Sequence, residues 1–167
     1  MILGICSDSH GKAERLRAAL SVMADHHVQA VVHCGDVGSA ECVRLLGACG
    51  VPAYLVPGNA DHHLDRLAEA ADDCGVVFHG EVLAVSLGAG KQLALTHGHD
   101  AGILSELISH QQFAYLCHGH THVVRDERIG PTRVINPGAL HRLRLGDRPT
   151  LAILDSDADT LQHVMVE

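Results

Sequence analysis

The sequence is nearly devoid of aromatic residues: Trp is absent, and Tyr and Phe occur twice each in 167 residues. Binding of nucleic acid by base stacking needs such platforms. The formal charge of −8, from 12 Lys and Arg against 20 Asp and Glu, also removes electrostatic attraction to a polyanion. Nucleic acid is therefore not an expected partner. No apolar run reaches the roughly 18 residues of a membrane helix, and the opening MILGIC leads straight into a polar motif. Neither a secretory leader nor a membrane anchor is expected, and the expected location is cytoplasmic. The six cysteines lack the short paired spacings of a zinc ribbon or a disulfide framework. Cys6, Cys34 and Cys117 stand in the apolar runs LGIC, AVVHC and AYLC and read as buried thiols. Linkers, low-complexity segments and repeats are missing too, so residues 1–167 read as a single domain. What the chain has in excess is histidine, with 15 residues.

Short apolar runs at 2–6, 30–33, 53–56 and 75–78 alternate with segments of helical periodicity, such as the one in which Ala13, Leu16, Leu20 and Met23 recur. Continuous apolar strands alternating with helices predict a parallel sheet covered by helices. From about residue 80 the texture changes to strands with tight turns: VLAVSL, KQLALTH, AYLCH, VVRDERI, TRVIN, TLAILD and LQHVMV, with one short helix near ILSELISH. Gly130-Pro131 and Asp157 to Asp159 are turn positions between them. These strands predict a second sheet, mixed or antiparallel, packed on the first. The expected fold class is α/β, a four-layer α/β/β/α sandwich of two mixed sheets flanked by helices.

The apolar strands feed one after another into loops rich in Gly, Asp, Asn and His: Ser7-Asp8-Ser9-His10-Gly11, Gly35-Asp36, Pro57-Gly58-Asn59-Ala60-Asp61, His97-Gly98-His99 and Gly119-His120-Thr121-His122. In open α/β sheets, loops beyond the carboxyl ends of strands converge on one crevice. Asp8, His10, Asp36, Asn59, His97, His120 and His122 then make a mixed oxygen and nitrogen set without thiolates. Such donors suit Mn, Fe, Co, Ni or Zn, and not an all-oxygen Ca or Mg cage. Seven donors exceed one tetrahedral ion and match two ions that share a carboxylate. Asp8 with His10, and His120 with His122, stand at i and i+2 just after strands, where such a pair can project together once the backbone turns or reach two different ions.

These motifs, in this order, resemble the five motifs of the calcineurin-like metallophosphoesterase superfamily. Asn136-Pro137-Gly138 resembles a segment of its small bacterial and archaeal phosphodiesterase branch, which is similar to the retromer subunit of the same fold. The resemblance runs from about residue 2 to 140. It implies one ion held by Asp8, His10, Asp36 and His122, and a second held by Asp36, Asn59, His97 and His120. Asp36 and a hydroxide would bridge them, with Mn the expected metal. The catalytic positions it implies are Asn59, His97 and His120, Asn59 orienting the phosphoryl group while the hydroxide attacks phosphorus. Where many relatives have a His after the Gly-Asn pair, this chain has Ala60, with His62 and His63 following. Gly35-Asp36-Val37-Gly38 lacks the arginine-containing extension of the Ser/Thr protein phosphatases.

The expected function is therefore that of a metal-dependent phosphodiesterase acting on a small phosphate diester. The rival reading is a non-catalytic, metal-binding interaction scaffold of the same fold. Edge strands of the second sheet would need covering, which leaves room for a homo-oligomer. His26, His27, His79, His110, His141 and His163 read as packed or solvated histidines. His33 and His118 read as core or supporting residues, and His99 as either near the substrate or a helix cap. Arg142 and Arg144 are placed to steer an anion or simply exposed.

Overall fold

The computed structural model describes residues 1–141 and 148–167. Its first half alternates strand and helix: β1 (Ile2–Cys6), α1 (Ala13–Asp25), β2 (Ala30–His33), α2 (Ala40–Gly47), β3 (Ala53–Leu55), α3 (Leu64–Cys74) and β4 (Val77–Phe78). The second half runs β5 (Val82–Gly88), β6 (Lys91–Thr96), α4 (Ala101–His110), β7 (Tyr115–Cys117), β8 (Arg125–Ile129), β9 (Thr132–Asn136), β10 (Thr150–Asp155) and β11 (Thr160–Met165). Six strands form one sheet in the order β11-β10-β1-β2-β3-β4, and five form the other in the order β5-β6-β7-β9-β8. Strands β1 to β4 run parallel in the first sheet, as do β6, β7 and β9 in the second; antiparallel strands complete both. Both sheets are mixed, and the α/β architecture agrees with the sequence reading.

The period-2 alternation of each strand explains the layers. Leu3, Ile5, Val32, Leu93, Leu95, Cys117 and Ile135 point between the sheets. Val31 and Leu55 point the other way, onto Leu16 and Met23 of α1, Val43 and Leu46 of α2, and Leu67 of α3. Ala94, Leu116 and Val134 face Leu104, Leu107 and Ile108 of α4. Ser39 caps α2 by accepting from the Cys42 amide, and Asp100 caps α4 by accepting from Gly102 and Ile103. Cys6, Cys34 and Cys117 are buried and free. Among the described residues, no helix is long and apolar enough to cross a membrane.

One expectation is corrected. The strands after residue 80 do not all belong to the second sheet: β10 pairs antiparallel with β1, and β11 with β10, so the last hairpin completes the first sheet. The run TLAILD is apolar on both faces, with Leu151 and Ile153 against the helices and Ala152 and Leu154 between the sheets. Such a strand suits the middle of a sheet.

Candidate metal centre

The parallel pairing of β1 and β2 continues past their ends into the loops. Asp8 N–H donates to Gly35 O at 3.0 Å, His10 N–H to Asp36 O at 2.9 Å, and Gly11 N–H to Val37 O at 2.9 Å. From the other side, His141 N–H donates to Asp8 O at 2.9 Å, and Gly119 N–H to His97 O at 3.0 Å. The loops after β1 and β2 and the segment at His141 are thereby laced together, and so are the loops of His97 and Gly119.

Within this lattice five of the expected ligands have left-handed backbone: Asp8 (φ 55°), His10 (45°), Asp36 (53°), His120 (64°) and His122 (59°). Non-glycine residues rarely adopt such angles, Asp and His more readily than most. The tight turns at these strand ends are thus made by the donor residues themselves. Gly119 serves close approach instead, since a Cβ there would meet Asp8 Oδ2 at 2.6 Å.

The donor atoms of five of the seven converge: those of Asp8, His10, Asp36, His97 and His122. Ligand atoms of Asp8, His10 and His122 lie within 4.8 Å of one another, as do those of Asp8, Asp36 and His97. Asp36 Oδ2 stands between the two expected sets, 3.6 Å from His10 Nε2 and 3.5 Å from His97 Nε2. Its Oδ1 accepts the Ala60 amide at 2.7 Å. Asp8 and Asp36 are buried, His10 and His122 half-buried, and Asn59 and His120 exposed, so a carboxylate floor is rimmed by imidazoles and one amide. Asn59 Oδ1 lies 3.0 Å from His97 Nε2. His120 reaches the centre by its backbone, N–H to Asp8 Oδ2 at 3.2 Å, while its ring stacks edge-on to His97 at 5.3 Å. His10 Nε2 is buried without a hydrogen-bond partner. An orphaned, buried nitrogen beside two buried carboxylates is what a cation site presents when only the protein is considered.

Burial alone would raise the carboxyl pKa of Asp36, but His97, the Ala60 amide and His10 outweigh it and hold it at about 2. Asp8 is likewise lowered against its burial, chiefly by His122 and Ser7. Both carboxylates are therefore ionised at neutral pH. His122 is raised by its contact with Asp8; His97 is raised by Asp36 and the Cys34 carbonyl in spite of burial. Burial lowers His120.

All seven expected residues lie at this end of the sheets. Asp61, which the sequence reading left without a role, proves central to its frame: its carboxylate accepts from Val37 N–H (3.1 Å), Gly38 N–H (2.7 Å) and Gly58 N–H (2.9 Å), clamping the Asp36 loop to the Asn59 loop. Its place two residues after the Gly-Asn pair was the available signal. Asn136 donates to Gly119 O at 2.8 Å and Thr121 Oγ1 at 3.0 Å, holding the loop that carries His120 and His122. Buried His33 meets Ser9 Oγ at 2.9 Å, a supporting role as expected. His141, read as packed or solvated, instead stands at the rim with its ring 5.1 Å from that of His10. His99 caps no helix, since Asp100 does so, and its ring lies 5.5 Å from that of His97. His62 and His63 are exposed at the start of α3. Arg142 and Arg144 lie outside the described residues.

Comparison with known proteins places this geometry in context. Residues 1–159 match the calcineurin-like phosphoesterase superfamily domain. A phosphodiesterase of Methanocaldococcus jannaschii is 28% identical over 168 residues, covering 100% of both chains. The solved structure of an archaeal phosphodiesterase superposes with a TM-score of 0.90 at 27% identity, covering 99% of this chain and 100% of that one. Vps29 of Entamoeba histolytica, solved with Zn2+, shares the fold at a TM-score of 0.64 and 17% identity, covering 99% of this chain and 98% of its own.

Proposed function

The chain belongs to the calcineurin-like phosphoesterase superfamily, hydrolases of phosphate ester bonds, and from that membership we propose that it is a dinuclear metal-dependent phosphodiesterase of small diesters. The observation that carries the reading is the pair of three-residue donor groups that share Asp8, floored by two buried, ionised carboxylates. Asp8, His10, Asp36 and His122 would hold one ion, and Asp36, Asn59, His97 and His120 the other. Asp36 Oδ2, between His10 and His97, supports its part as the bridge. Mn is the first expected metal; Ni, Fe, Co and Zn suit the same donors. When bound, such ions would acidify a coordinated water for attack on phosphorus and would neutralise charge on the phosphoryl oxygens.

The chain's own side chains supply the orientation. Cys34 O accepts from His97 Nδ1 and turns Nε2 to the centre. Asn59, exposed at the rim with Oδ1 against His97 Nε2, would orient the phosphoryl group through its amide. Ala60 offers no side-chain proton to the leaving group, which suits esters whose alcohol leaves unaided. Residues 1–167 act as one domain in this reading, on a soluble substrate in the cytoplasm.

The test is hydrolysis of bis-p-nitrophenyl phosphate against p-nitrophenyl phosphate by metal-stripped protein reconstituted with Mn2+, beside Asp36→Asn. The diester is the expected better substrate. Removing supporting residues around a metal already costs about 10- to 100-fold, so loss of the bridge is expected to cost at least about 100-fold. Full turnover by Asp36→Asn sinks the assignment. Two bound ions without hydrolysis of either ester favour the scaffold reading.

A further inference from the structure

A cavity of about 370 Å³ opens beside the candidate metal centre, between the N-terminal ends of α2 and α3. It shares a wall with the centre. Ala60, whose amide donates to Asp36 Oδ1, lies on that wall, as does Gly38, which packs against the backbone of His10 and Gly11. Leu67 is a buried apolar part of the lining. Arg66, His62 and His63 are exposed on its rim. The guanidinium groups of Arg17, Arg125, Arg128 and Arg133 are held in ion pairs. Arg66 has no carboxylate partner among the described residues. The volume falls within the range of small-ligand sites, and the lining sets Ala40, Ala60 and Leu67 beside Ser39, Asp61 and the polar rim, a mixture of apolar surface and a few polar groups that such sites share.

A phosphomonoester has no second organic arm and would leave this cavity idle, whereas a diester held at the metals has one to place. Resting on the phosphodiesterase reading, we infer that the cavity seats one organic arm of the diester. That arm has roughly the size of a nucleoside: an apolar or planar body against Ala60 and Leu67, with hydrogen-bond acceptors or an anionic group at the end that meets Arg66. A guanidinium reads such acceptors in a planar fork, and the single methyl of Ala60 adds little bulk to the wall between the cavity and the centre. The larger cleft along β11 is lined by 162–167 and Arg148, none of them next in sequence to a candidate ligand, whereas Ala60 of the cavity directly follows Asn59.

The experiment compares thymidine 5′-(p-nitrophenyl phosphate) with methyl p-nitrophenyl phosphate on the Mn2+-loaded wild type, Arg66→Glu and Ala60→Phe, with metal content measured for each. Wild type is expected to favour the thymidine ester in kcat/KM by about tenfold or more, the equivalent of one good charge-assisted contact. Arg66→Glu is expected to lower kcat/KM for the thymidine ester about tenfold more than for the methyl ester, through KM. Ala60→Phe is expected to abolish the preference. A second readout needs no turnover: in the Zn2+-loaded protein, thymidine 5′-phosphate should shift the Arg66 and Leu67 amide resonances and methyl phosphate should not. Equal treatment of the two esters by wild type, or equal losses in Arg66→Glu, overturns the inference. Absence of turnover on both esters, with two ions bound, is a failure of the phosphodiesterase reading; the amide shifts then decide the cavity on their own, their presence supporting it and their absence overturning it.

Discussion

His97 Nδ1 lies 2.7 Å from the carbonyl oxygen of Cys34, and that contact leaves Nε2 facing Asp36 and Asn59. A carbonyl only accepts, so Nδ1 carries the proton in every state. Without metal, Nε2 holds a second proton above the ordinary imidazole value of 6.5, because the Asp36 and Cys34 contacts outweigh burial. His122 is raised in the same sense by Asp8. These raised values stabilise the metal-free fold fully below 6.5, and the contribution fades as pH rises through the folded values. Metal must displace the protons. Metal affinity is therefore expected to rise with pH through and beyond 6.5. Calorimetric titration of Mn2+ at that pH, in buffers of different ionisation enthalpy, should show proton release; heats independent of buffer would refute it.

Asp61 is the clamp of the frame, and its removal is the most informative stability variant. Asp61→Ala leaves the amides of Val37, Gly38 and Gly58 without their acceptor. Each buried orphan costs about 1–3 kcal/mol, so a loss of about 3 kcal/mol or more is expected in urea unfolding of the metal-free protein. Asp61→Asn, which keeps one acceptor oxygen, should recover part of it. A loss below about 1 kcal/mol would show that the loops hold without the clamp.

Buried His33 sets the response to acid. Burial lowers its pKa to about 4, against 6.5 in the open chain. The unfolded state then binds a proton that the folded state refuses. Stability from this residue is present above 6.5 and lost as pH falls from there towards 4. The expected slope is about 1 kcal/mol per pH unit in that window. His33→Gln should flatten it, as read from urea midpoints across the window; an unchanged slope would assign it to other groups.

Gly119 tests the close approach of the His120 loop to β1. A methyl group there would collide with Ser7 Oγ and come within 2.6 Å of Asp8 Oδ2. Overpacking of this kind costs about 1–3 kcal/mol. Gly119→Ala is expected to unfold at lower temperature and to bind Mn2+ at least about tenfold more weakly. Gly80→Ala, whose added atom meets nothing within 4 Å, is the matched control and should match wild type in both measurements.

Much of this could be read from residue pattern alone, and the exceptions have physical causes. Apolar period and length located the strands because burial on one or two faces leaves a local mark. The sheet that β10 and β11 join left none: TLAILD is apolar throughout and would suit the interior of either sheet. The hairpin joins β1, while Asp159 at its tip accepts from Tyr115 Oη at 3.1 Å and Arg133 Nη1 at 3.2 Å, both on the other sheet. The donor loops were legible because residue type is itself the chemistry of a metal centre. Asp61 escaped because its partners are backbone amides, which every residue has. His141 escaped because the approach of the segment after Asn136 to β1 is a long-range contact.

The left-handed backbone at Asp8, His10, Asp36, His120 and His122 also governs how this centre can decay. Val, Ile and Thr are branched at Cβ and fit those angles poorly, whereas Gly and Asn accept them. In a lineage released from hydrolysis, substitution at these five sites would be channelled toward small or amide side chains. The carboxylate and imidazole donors would vanish while the turns persisted. The loops would keep their shape after losing their chemistry, and that surface would be available for another use.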